Sequence, residues 1–552
     1  MRHMSLMSVV WRSGLTVIVV GMLAAPAIAE MAELFSATEL RQALTEQLAA
    51  PSAAPPLLYR ERVQRFYTLR EQRPAWSDQT GMRRDAAELL GVLREAEREG
   101  VQPERYHLDA IASLLESPLA GVQSQARLEL LLTDAFIAYG LDVRRGRLDP
   151  RSVDRSWHIP RSDYEVERML LYALESNTVL ATLNSMPPYQ QGYRRLRSAL
   201  ASYRAVAAEG GWPLLPAGPV LKRGMTGERV AQLRRRLSMS GDLPANSAGE
   251  GFDALLEVAV RRFQARHGIR EDGIVGEEMR QTLNVPVETR ITQLVASMER
   301  WRWMPRHLAS RYLLVNMTGF RLDVIEEDLS VLQMRVIIGS DYRQTPAFGS
   351  QVTAMTFNPS WYVPNSVFRK DMLPRLKYDS SYLAQRNIAI LDDLANGGRA
   401  IDPASLDWSL YDEHPFPYAL HQPPGAGNPL GRVKFVIPNN YRIYLHDTPQ
   451  RNLFARRERT FSSGCIRLEK PLELAGYLLA QEPEAKPGQI DRYLANARTR
   501  TVALQQTLPI YLVYWTAWAD EDGFVQFRDD MYNRDSRLVA ALFPEQNRSA
   551  RL

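Results

Sequence analysis

Two short segments decide the fold of the C-terminal part of this chain: residues 443–446 (IYLH) and residues 462–468 (SSGCIRL). The first is a β-rich run closed by turn residues. Comparable runs stand at 312–316 (YLLVN), 334–339 (MRVIIG) and 433–437 (VKFVI). Short runs of β-branched and aromatic residues between turn residues are typical of strands. The pattern predicts a mostly β domain in this part of the chain.

The second segment contains Cys465, the only cysteine, which follows His446 by 465 − 446 = 19 positions. A thiol reacts as its thiolate, and its ordinary pKa near ~8.5 means that it needs a base or a positive neighbour. His446 can take the thiol proton and return a proton to a leaving amine, and Arg467 adds positive charge or holds a carboxylate. Gly464 lets the backbone approach closely, so its amide and that of Cys465 can face an oxyanion. We predict that Cys465 is the nucleophile of an acyl-transfer enzyme.

Each of these residues also has a purely structural interpretation. A lone cysteine beside apolar residues is usually an inert small hydrophobic side chain. His446 can cap a turn with Asp447, and Arg467 can pair with Glu469. The coincidence of a histidine at a strand end, a Gly-Cys pair and an arginine in one short stretch favours the chemical interpretation.

Length and composition exclude several classes of protein. A chain of 552 residues is too long for one core and indicates three or four domains. Its 45% hydrophobic and 24% charged residues are typical of folded soluble protein. Lys plus Arg exceed Asp plus Glu by only 68 − 63 = 5, so no nucleic-acid partner is expected.

The first 29 residues have the pattern of an export signal. Arg2 and Arg12 precede an apolar run at 15–25, and residues 27–29 (AIA) place small side chains at the cleavage positions. The alternative is an uncleaved inner-membrane anchor. Both interpretations place the body of the protein in the periplasm, where exported proteins normally use cysteines in pairs and a lone thiol calls for a function.

Two helical regions precede the β-rich part. Residues 34–203 are rich in Leu, Ala and Arg with helical periodicity, as at 86–94 (AAELLGVLR), and predict a scaffold. After a Gly- and Pro-rich linker at 210–219, apolar positions at helical spacing on two runs, the turn at 272–276 and a further short run at 277–283 predict a three-helix module. This module is either a binding unit or a spacer.

Between residues 365 and 422 the strand pattern breaks, which predicts an insertion that is either a lid over a cleft or a surface excursion. His414 and His421 lie there near acidic residues, but a third ligand is missing, and no zinc, nucleophile-elbow or Walker motif occurs in the chain. No metal and no cofactor are expected.

The segments at 444–447 (YLHD) and 462–467 (SSGCIR) together resemble the signature of the L,D-transpeptidases, in particular their large lidded class. The resemblance runs from about residue 60 to about residue 535 and includes further segments: 342–346 (YRQTP), 357–364 (FNPSWYVP), 423–435 (PPGAGNPLGRVKF) and 511–518 (YLVYWTAW). Residues 227–233 (GERVAQL), 260–264 (VRRFQ) and 272–276 (DGIVG) resemble the peptidoglycan-binding module of wall enzymes.

The resemblance implies a multidomain α+β protein. It consists of a helical scaffold, a three-helix peptidoglycan-binding module and a mostly β, sandwich-like catalytic domain with an inserted capping subdomain. The expected boundaries are 1–29 for the signal or anchor, 30–215 for the scaffold, 216–287 for the module, 288–535 for the catalytic domain with its cap at about 365–422, and 536–552 for the tail.

The resemblance also implies a reaction. Cys465 would attack the diamino-acid residue at position three of a tetrapeptide stem, release D-alanine and form a thioester, which the side-chain amine of a second stem resolves into a 3→3 cross-link. Arg467 would hold a carboxylate and Tyr444 would line the oxyanion side. Further substrate-binding candidates are Ser463, Asn428, Gly431, Trp361 and Tyr362.

Three functions stay open at this point. They are a transpeptidase, a carboxypeptidase or endopeptidase that hydrolyses the same thioester, and a catalytically silent wall-binding protein. The motif does not separate an amine acceptor from water, because that choice depends on lid closure and water exclusion. Peptidoglycan stems are the expected partners, together with glycan strands through the three-helix module and, by family likeness, carbapenems as covalent inhibitors.

Overall fold

A computed structural model describes residues 36–544, except 51–54, 79–80, 117–120, 246, 248, 380, 393–397 and 485. The predicted signal or anchor at 1–29 and the last residues of the predicted tail lie outside the described residues. Within the described ranges, no helix is both long and apolar enough to cross a bilayer.

The N-terminal half of the structure is helical. In chain order its helices are α1 (Ala37–Ala49), α2 (Arg60–Leu69), α3 (Arg84–Arg94), α4 (Leu108–Glu116), α5 (Val122–Arg145), α6 (Pro150–Val153), α7 (Val166–Glu175), α8 (Val179–Ser185), α9 (Gln191–Ala208), α10 (Glu228–Met239), α11 (Ala254–Arg266), α12 (Glu277–Leu283) and α13 (Val287–Arg302). Two short strands, β1 (Ser77–Asp78) and β2 (Gly81–Met82), pair between α2 and α3.

The scaffold packs around α5, which is buried on all sides along most of its length. A helix surrounded in this way needs partners for its polar residues. Glu129 of α5 accepts hydrogen bonds from the amide of Ala75 at 2.7 Å and the hydroxyl of Ser77 at 2.7 Å. Burial raises the pKa of Glu129, and these donors oppose that shift. The predicted helical scaffold is confirmed.

The three-helix module has a core of its own, formed by α10, α11 and α12. Val230, Leu233 and Leu237 of α10 are buried against Phe263 of α11, as the helical spacing predicted. Outside this core, Arg266 pairs with Asp242 at 2.5 Å and donates to a backbone oxygen near the chain's C-terminal strands. The module is therefore docked on the rest of the protein.

The remaining strands and helices follow α13. The strands are β3 (Arg311–Asn316), β4 (Arg321–Glu326), β5 (Leu329–Ile337), β6 (Phe348–Phe357), β7 (Trp361–Tyr362), β8 (Ala389–Leu391), β9 (Ala400–Ile401), β10 (Ala419–Gln422), β11 (Val433–Val436), β12 (Leu445–His446), β13 (Ile466–Leu468), β14 (Arg500–Val513), β15 (Ala517–Ala519) and β16 (Val525–Phe527). The helices are α14 (Asn365–Val367), α15 (Leu373–Leu376), α16 (Pro471–Leu479), α17 (Gln489–Ala495) and α18 (Asp535–Leu542).

Eight of these strands form one closed barrel in the order β11-β12-β13-β5-β4-β3-β14-β6. The prediction of a mostly β domain is confirmed, but its sheet closes on itself where a sandwich-like arrangement was expected. The long strand β14 causes this closure, because it pairs with β3 on one side and with β6 on the other. Strand β11 then pairs with both β6 and β12, which completes the ring. Closure removes the unpaired edges that an open sheet would leave.

The insertion in the catalytic part is a folded subdomain, called the cap below. A four-stranded sheet, in the order β7-β10-β8-β9, packs with α14 and α15. The cap has its own core, which includes Phe368, Leu383 and Trp408. Its sheet begins at β7, slightly before the predicted start of the insertion.

Part of the scaffold region is built into the barrel. The amide of His158 donates to the Ala347 carbonyl at 2.7 Å, and the Ala347 amide donates to the Ser156 carbonyl at 2.9 Å. Residues of α9 and α13 also share one core with the barrel strands. Helix α9, which lies within the predicted scaffold 30–215, therefore packs with the barrel strands and not in the core around α5.

Candidate active site

The pairing of β12 with β13 brings the predicted catalytic residues together. The two strands run parallel, with Leu445 beside Ile466 and His446 beside Arg467. The Ile466 amide donates to the Tyr444 carbonyl at 3.1 Å, which extends the pairing toward residues 462–465. This segment carries the predicted nucleophile and is called the nucleophile loop below. Side chains alternate between the two faces of a strand, so Tyr444 and His446 share one face of their segment, and Cys465 and Arg467 share one face of theirs. Because His446 is paired with Arg467, all four side chains lie on the same face of the barrel.

Lys434, which was not among the predicted site residues, completes this face. It lies opposite His446 on β11, and its Nζ is 4.1 Å from the centroid of the Tyr444 ring. Burial lowers the pKa of Lys434, whereas the nearby thiol raises it. The one available signal was a lysine inside the otherwise apolar run 433–437.

The loop that carries Cys465 is held by three hydroxyl contacts. Ser462 Oγ accepts from the Gly464 amide at 3.0 Å and donates to the Cys465 carbonyl at 2.5 Å. Thr345 Oγ1 donates to the Gly464 carbonyl at 2.8 Å. Gly464 has φ +114°, a region that L residues rarely adopt, so glycine is required by the shape of the loop.

These contacts change the expected oxyanion site. The Gly464 amide already donates to Ser462, so in this conformation it does not point to a substrate oxygen. The Cys465 amide makes no hydrogen bond within the described residues. The Tyr444 side chain lies near the thiol and lowers its pKa.

The Cys465 thiol is surrounded by groups that shift its pKa in opposite directions. Burial raises the pKa of Cys465, while its contacts with Tyr444 and the positive charges of Lys434 and Arg467 lower it. The Sγ atom donates to the Arg442 carbonyl at 3.7 Å. The positive charges of Lys434 and Arg467 stabilise the thiolate that forms when the thiol loses its proton.

His446 is a neutral imidazole in this structure. Its Nδ1 donates to the Asp447 carbonyl at 2.5 Å, which leaves Nε2 as the acceptor nitrogen. Burial, reinforced by the Arg467 charge, lowers the pKa of His446 to about 3. An unperturbed imidazole titrates near neutrality, so His446 is a weaker base than usual in this conformation. Although the two residues share a face, the described structure has no hydrogen bond between His446 and Cys465.

Arg343 connects the nucleophile loop to the cap. Its guanidinium donates to Ser463 Oγ at 2.6 Å and to the two carboxylate oxygens of Asp371 at 2.6 and 3.0 Å. It also donates to the Ser366 carbonyl at 3.2 Å. The resemblance had included 342–346 as a segment, but this contact to the cap was not predicted.

A positively charged cavity of about 410 Å³ lies beside this connection. Its lining combines Arg155 of the scaffold region, Lys370 of the cap, Arg343 and Gly464. Arg155 and Lys370 are exposed. Three cationic side chains around one cavity next to the nucleophile loop suit an anionic group.

Matches to known families agree with this geometry. Residues 310–490 match the L,D-transpeptidase catalytic domain, residues 226–283 match the family described as "Putative peptidoglycan binding domain", and residues 61–200 match the scaffold domain. Residues 310–490, which contain Lys434, His446, Cys465 and Arg467, are thus similar to that catalytic domain.

Among curated proteins, the chain is 35% identical over 255 residues to a "Putative L,D-transpeptidase" of Haemophilus influenzae. The alignment covers 46% of this chain and 50% of that protein, so the chain spans about half the length of the curated relative.

Two solved structures are similar at low identity. One is the L,D-transpeptidase (residues 123–326) from Xylanimonas cellulosilytica, with 13% identity, 54% of this chain and 99% of that chain covered, and a TM-score of 0.18. The other is a fused Zn-dependent amidase/peptidase/peptidoglycan-binding domain-containing protein from Clostridium acetobutylicum, with 13% identity, coverage of 54% and 100%, and a TM-score of 0.16.

Two of the predicted substrate-binding residues organise a loop beside the barrel. Asn428 is buried, and its Nδ2 donates to the carbonyls of Pro359 at 3.0 Å and Pro423 at 3.1 Å. A Cβ on Gly431 would lie 2.5 Å from the Asp447 side chain, and its φ is +61°. Both residues therefore shape the turn behind His446. Their contact with substrate stays a prediction.

The two predicted aromatic residues belong to the cap. Trp361 packs against the cap core, and Tyr362 is exposed with its ring centroid 4.8 Å from that of His421. Within the described part of the chain, no hydrogen bond or ring contact joins either residue to Cys465 or His446. Across the described part of the chain, no group of three His, Cys, Asp or Glu side chains could hold a metal ion.

Proposed function

We propose that this protein is a cysteine-dependent L,D-transpeptidase that forms 3→3 cross-links between peptidoglycan stem peptides. The observation that carries the proposal is the shared face of Cys465, Tyr444, His446, Lys434 and Arg467 in a domain that matches this family. One nucleophile, one imidazole and two cations are the groups that thiol acyl transfer requires.

In the first step, Cys465 Sγ attacks the carbonyl carbon at the L-centre of the diamino-acid residue of a tetrapeptide donor. The thiol proton passes to Nε2 of His446, and the tetrahedral oxyanion is held by the Cys465 amide and the Tyr444 hydroxyl. The carbon–nitrogen bond to D-alanine then breaks, His446 returns its proton to the leaving amine, and a thioester remains on Cys465.

The substrate itself activates His446 in this proposal. In the free enzyme, Arg467 adds to the burial that lowers the pKa of the imidazole. A substrate carboxylate next to Arg467 offsets this charge and raises the pKa of His446, so that the imidazole becomes a better base. Activation of the nucleophile is then coupled to the presence of the donor stem.

In the second step, the side-chain amine of a neighbouring stem attacks the thioester carbonyl. His446 accepts the amine proton and returns it to the departing thiolate, and the new amide is the cross-link. The cap supports transfer over hydrolysis, because the Arg343–Asp371 pair holds it at the nucleophile loop, where it can exclude water.

A second candidate function is an L,D-carboxypeptidase or endopeptidase. The exposed cationic rim at Arg155 and Lys370 favours it if the cleft stays open to water, since water then resolves the same thioester. The intact Cys465 and His446 count against the third candidate, a silent wall-binding protein.

The location and partners are part of the same proposal. Peptidoglycan stems and their glycan strands lie outside the cytoplasm, so we place the protein in the periplasm. The three-helix module would bind glycan, and carbapenems would acylate Cys465 as mimics of the donor stem.

Product analysis tests the proposed function. We expect the purified protein to release D-alanine from tetrapeptide stems and to give stem dimers of the corresponding mass, and we expect Cys465→Ala to do neither. Tripeptide without dimer would establish the hydrolase instead. D-alanine release by Cys465→Ala would refute both.

A further inference from the structure

The positively charged cavity of about 410 Å³ beside the nucleophile loop lies apart from the barrel face that carries His446 and Arg467, since neither residue lines it. Its wall includes Ser463 and Gly464 of the loop. Its size is within the range of about 300–1,000 Å³ that accommodates small ligands. No step of the proposed acyl transfer assigns this cavity a role.

The cavity adjoins the reactive sulfur. Cys465 Sγ donates to the Arg442 carbonyl at 3.7 Å, and the two neighbours of Arg442 in the chain, Tyr441 and Ile443, both line the cavity. The Tyr441 ring is stacked on that of His158, with centroids 4.4 Å apart, which gives the cavity an aromatic wall. A ligand in this cavity would therefore lie close to the sulfur that carries the acyl group.

The positive charge around the cavity is not balanced. No aspartate or glutamate belongs to its lining in the described part of the chain. The charge of Arg343 is paired with Asp371, but neither Arg155 nor Lys370 forms an ion pair with any described residue. Two unpaired cations at one cavity favour an anionic ligand, and a carboxylate can accept hydrogen bonds from both.

These two cations come from different parts of the chain, and each is attached to the barrel. Arg155 precedes Ser156, whose carbonyl accepts a hydrogen bond from the Ala347 amide at 2.9 Å. Lys370 precedes Asp371, which is paired with the arginine that connects the cap to the nucleophile loop. The complete anion site therefore requires that the scaffold region and the cap are both docked on the barrel.

We propose that this cavity binds a carboxylate of the acceptor stem. The inference rests on the proposed function, in which two stems reach one sulfur in turn and a donor carboxylate lies next to Arg467. A second anion site across the nucleophile loop lets the acceptor bind while the donor is still attached as the thioester. Arg155 and Lys370 hold the acceptor so that its amine can attack the thioester carbonyl. The carbon–nitrogen bond then forms and the carbon–sulfur bond breaks, as in the second step above.

Binding of a tripeptide stem to the full chain tests the proposal. The tripeptide ends at the diamino-acid residue, so it has no D-alanine to lose and can act only as an acceptor. Titration calorimetry on Cys465→Ala compares the tripeptide with its counterpart in which the carboxyl groups are amidated. We expect the charged form to bind at least tenfold more tightly. In the background of Arg155→Gln with Lys370→Gln, we expect the two forms to bind within about twofold of each other, because the charges that distinguish them are gone.

The matched control is the double variant Arg151→Gln with Arg375→Gln. It removes the same charge from the scaffold region and the cap, at exposed positions outside the lining. This control should keep the tenfold preference for the charged tripeptide. Equal loss of preference in both double variants would show that only the overall charge matters and would overturn the proposal, as would a preference that survives the loss of Arg155 and Lys370.

Carbapenem acylation separates the acceptor from the donor, because the drug reacts as a donor mimic. The Arg155 and Lys370 double variant with Cys465 intact is used for this measurement. Acylation slowed at least tenfold in this variant would place the donor in the cavity and overturn the assignment to the acceptor. Release of D-alanine by the wild type tests the proposed function separately. D-alanine release without any charge preference in tripeptide binding would overturn this inference alone.

Discussion

His446 and Arg467 lie side by side on the parallel strands β12 and β13, and the arginine helps to keep the imidazole neutral. Burial is the larger cause of the low pKa of His446, which is about 3. The same arginine lowers the pKa of the Cys465 thiol, which burial raises. One cation therefore favours the thiolate and at the same time weakens the base that would form it.

The first prediction concerns the pH dependence of Cys465 alkylation by iodoacetamide. Only the thiolate reacts, and the pKa of this thiol is raised, so the rate should increase with pH well into the alkaline range. His446 stays neutral above about pH 4, so no step should appear between about pH 5 and 7. Intact-mass measurement of the adduct gives the rate, with the denatured chain as reference. A rate that reaches its plateau below pH 7 would contradict the raised thiol pKa.

The second prediction concerns Lys434, whose charge lowers the pKa of Cys465. Lys434→Met should move the midpoint of the alkylation profile upward and slow carbapenem acylation severalfold at neutral pH, because the thiolate loses a stabilising positive charge. Lys434→Arg keeps the charge and should restore most of the rate. Equal loss in both variants would mean that the side chain acts through packing against Tyr444 rather than through charge.

Lys434 also marks the limit of what the sequence could predict. Cys465, His446 and Arg467 stand out because their types and spacing form a local motif. Lys434 reaches them only through the register of β11 against β12, which a single sequence does not reveal. The low pKa of His446 likewise depends on burial by residues distant in the chain.

The same contrast applies to the fold. Helical periodicity predicted the three-helix module, because each of its helices exposes one face and buries the other. Closure of the barrel depends on β14 pairing with β6, and these strands lie far apart in the chain. Alternation within a strand identifies its buried face but not its partner, so a sandwich and a barrel give the same pattern.

The third prediction concerns Gly464. An alanine at φ +114° is strained by about 1–3 kcal/mol, and its Cβ would lie 3.2 Å from Ile443. Gly464→Ala should therefore shift the nucleophile loop and reduce the rate of carbapenem acylation at least tenfold. Gly523→Ala is the matched control, because Gly523 has φ +86° and no neighbour within 4 Å of a Cβ. It should lower the melting temperature and leave acylation unchanged. Comparable acylation by both variants would show that the Gly464 conformation is dispensable.

The fourth prediction concerns the connection between the cap and the nucleophile loop. Arg343 binds both Ser463 on the nucleophile loop and Asp371 on the cap. Loss of the Asp371 charge should therefore weaken the attachment of the cap to this loop. Asp371→Asn should admit water to the acyl-enzyme and shift the products from stem dimer toward tripeptide severalfold, while D-alanine release changes little. Quantitative mass spectrometry of the products gives both values from one reaction.

Asp412→Asn is the control for that experiment, because it removes the Lys377–Asp412 pair, which lies within the cap and does not involve the nucleophile loop. Its ratio of dimer to tripeptide should match that of the wild type. If Asp371→Asn kept the wild-type ratio as well, the Arg343 connection would not control water access. If both variants shifted the ratio equally, the stability of the cap itself, rather than its attachment at Arg343, would decide the fate of the thioester.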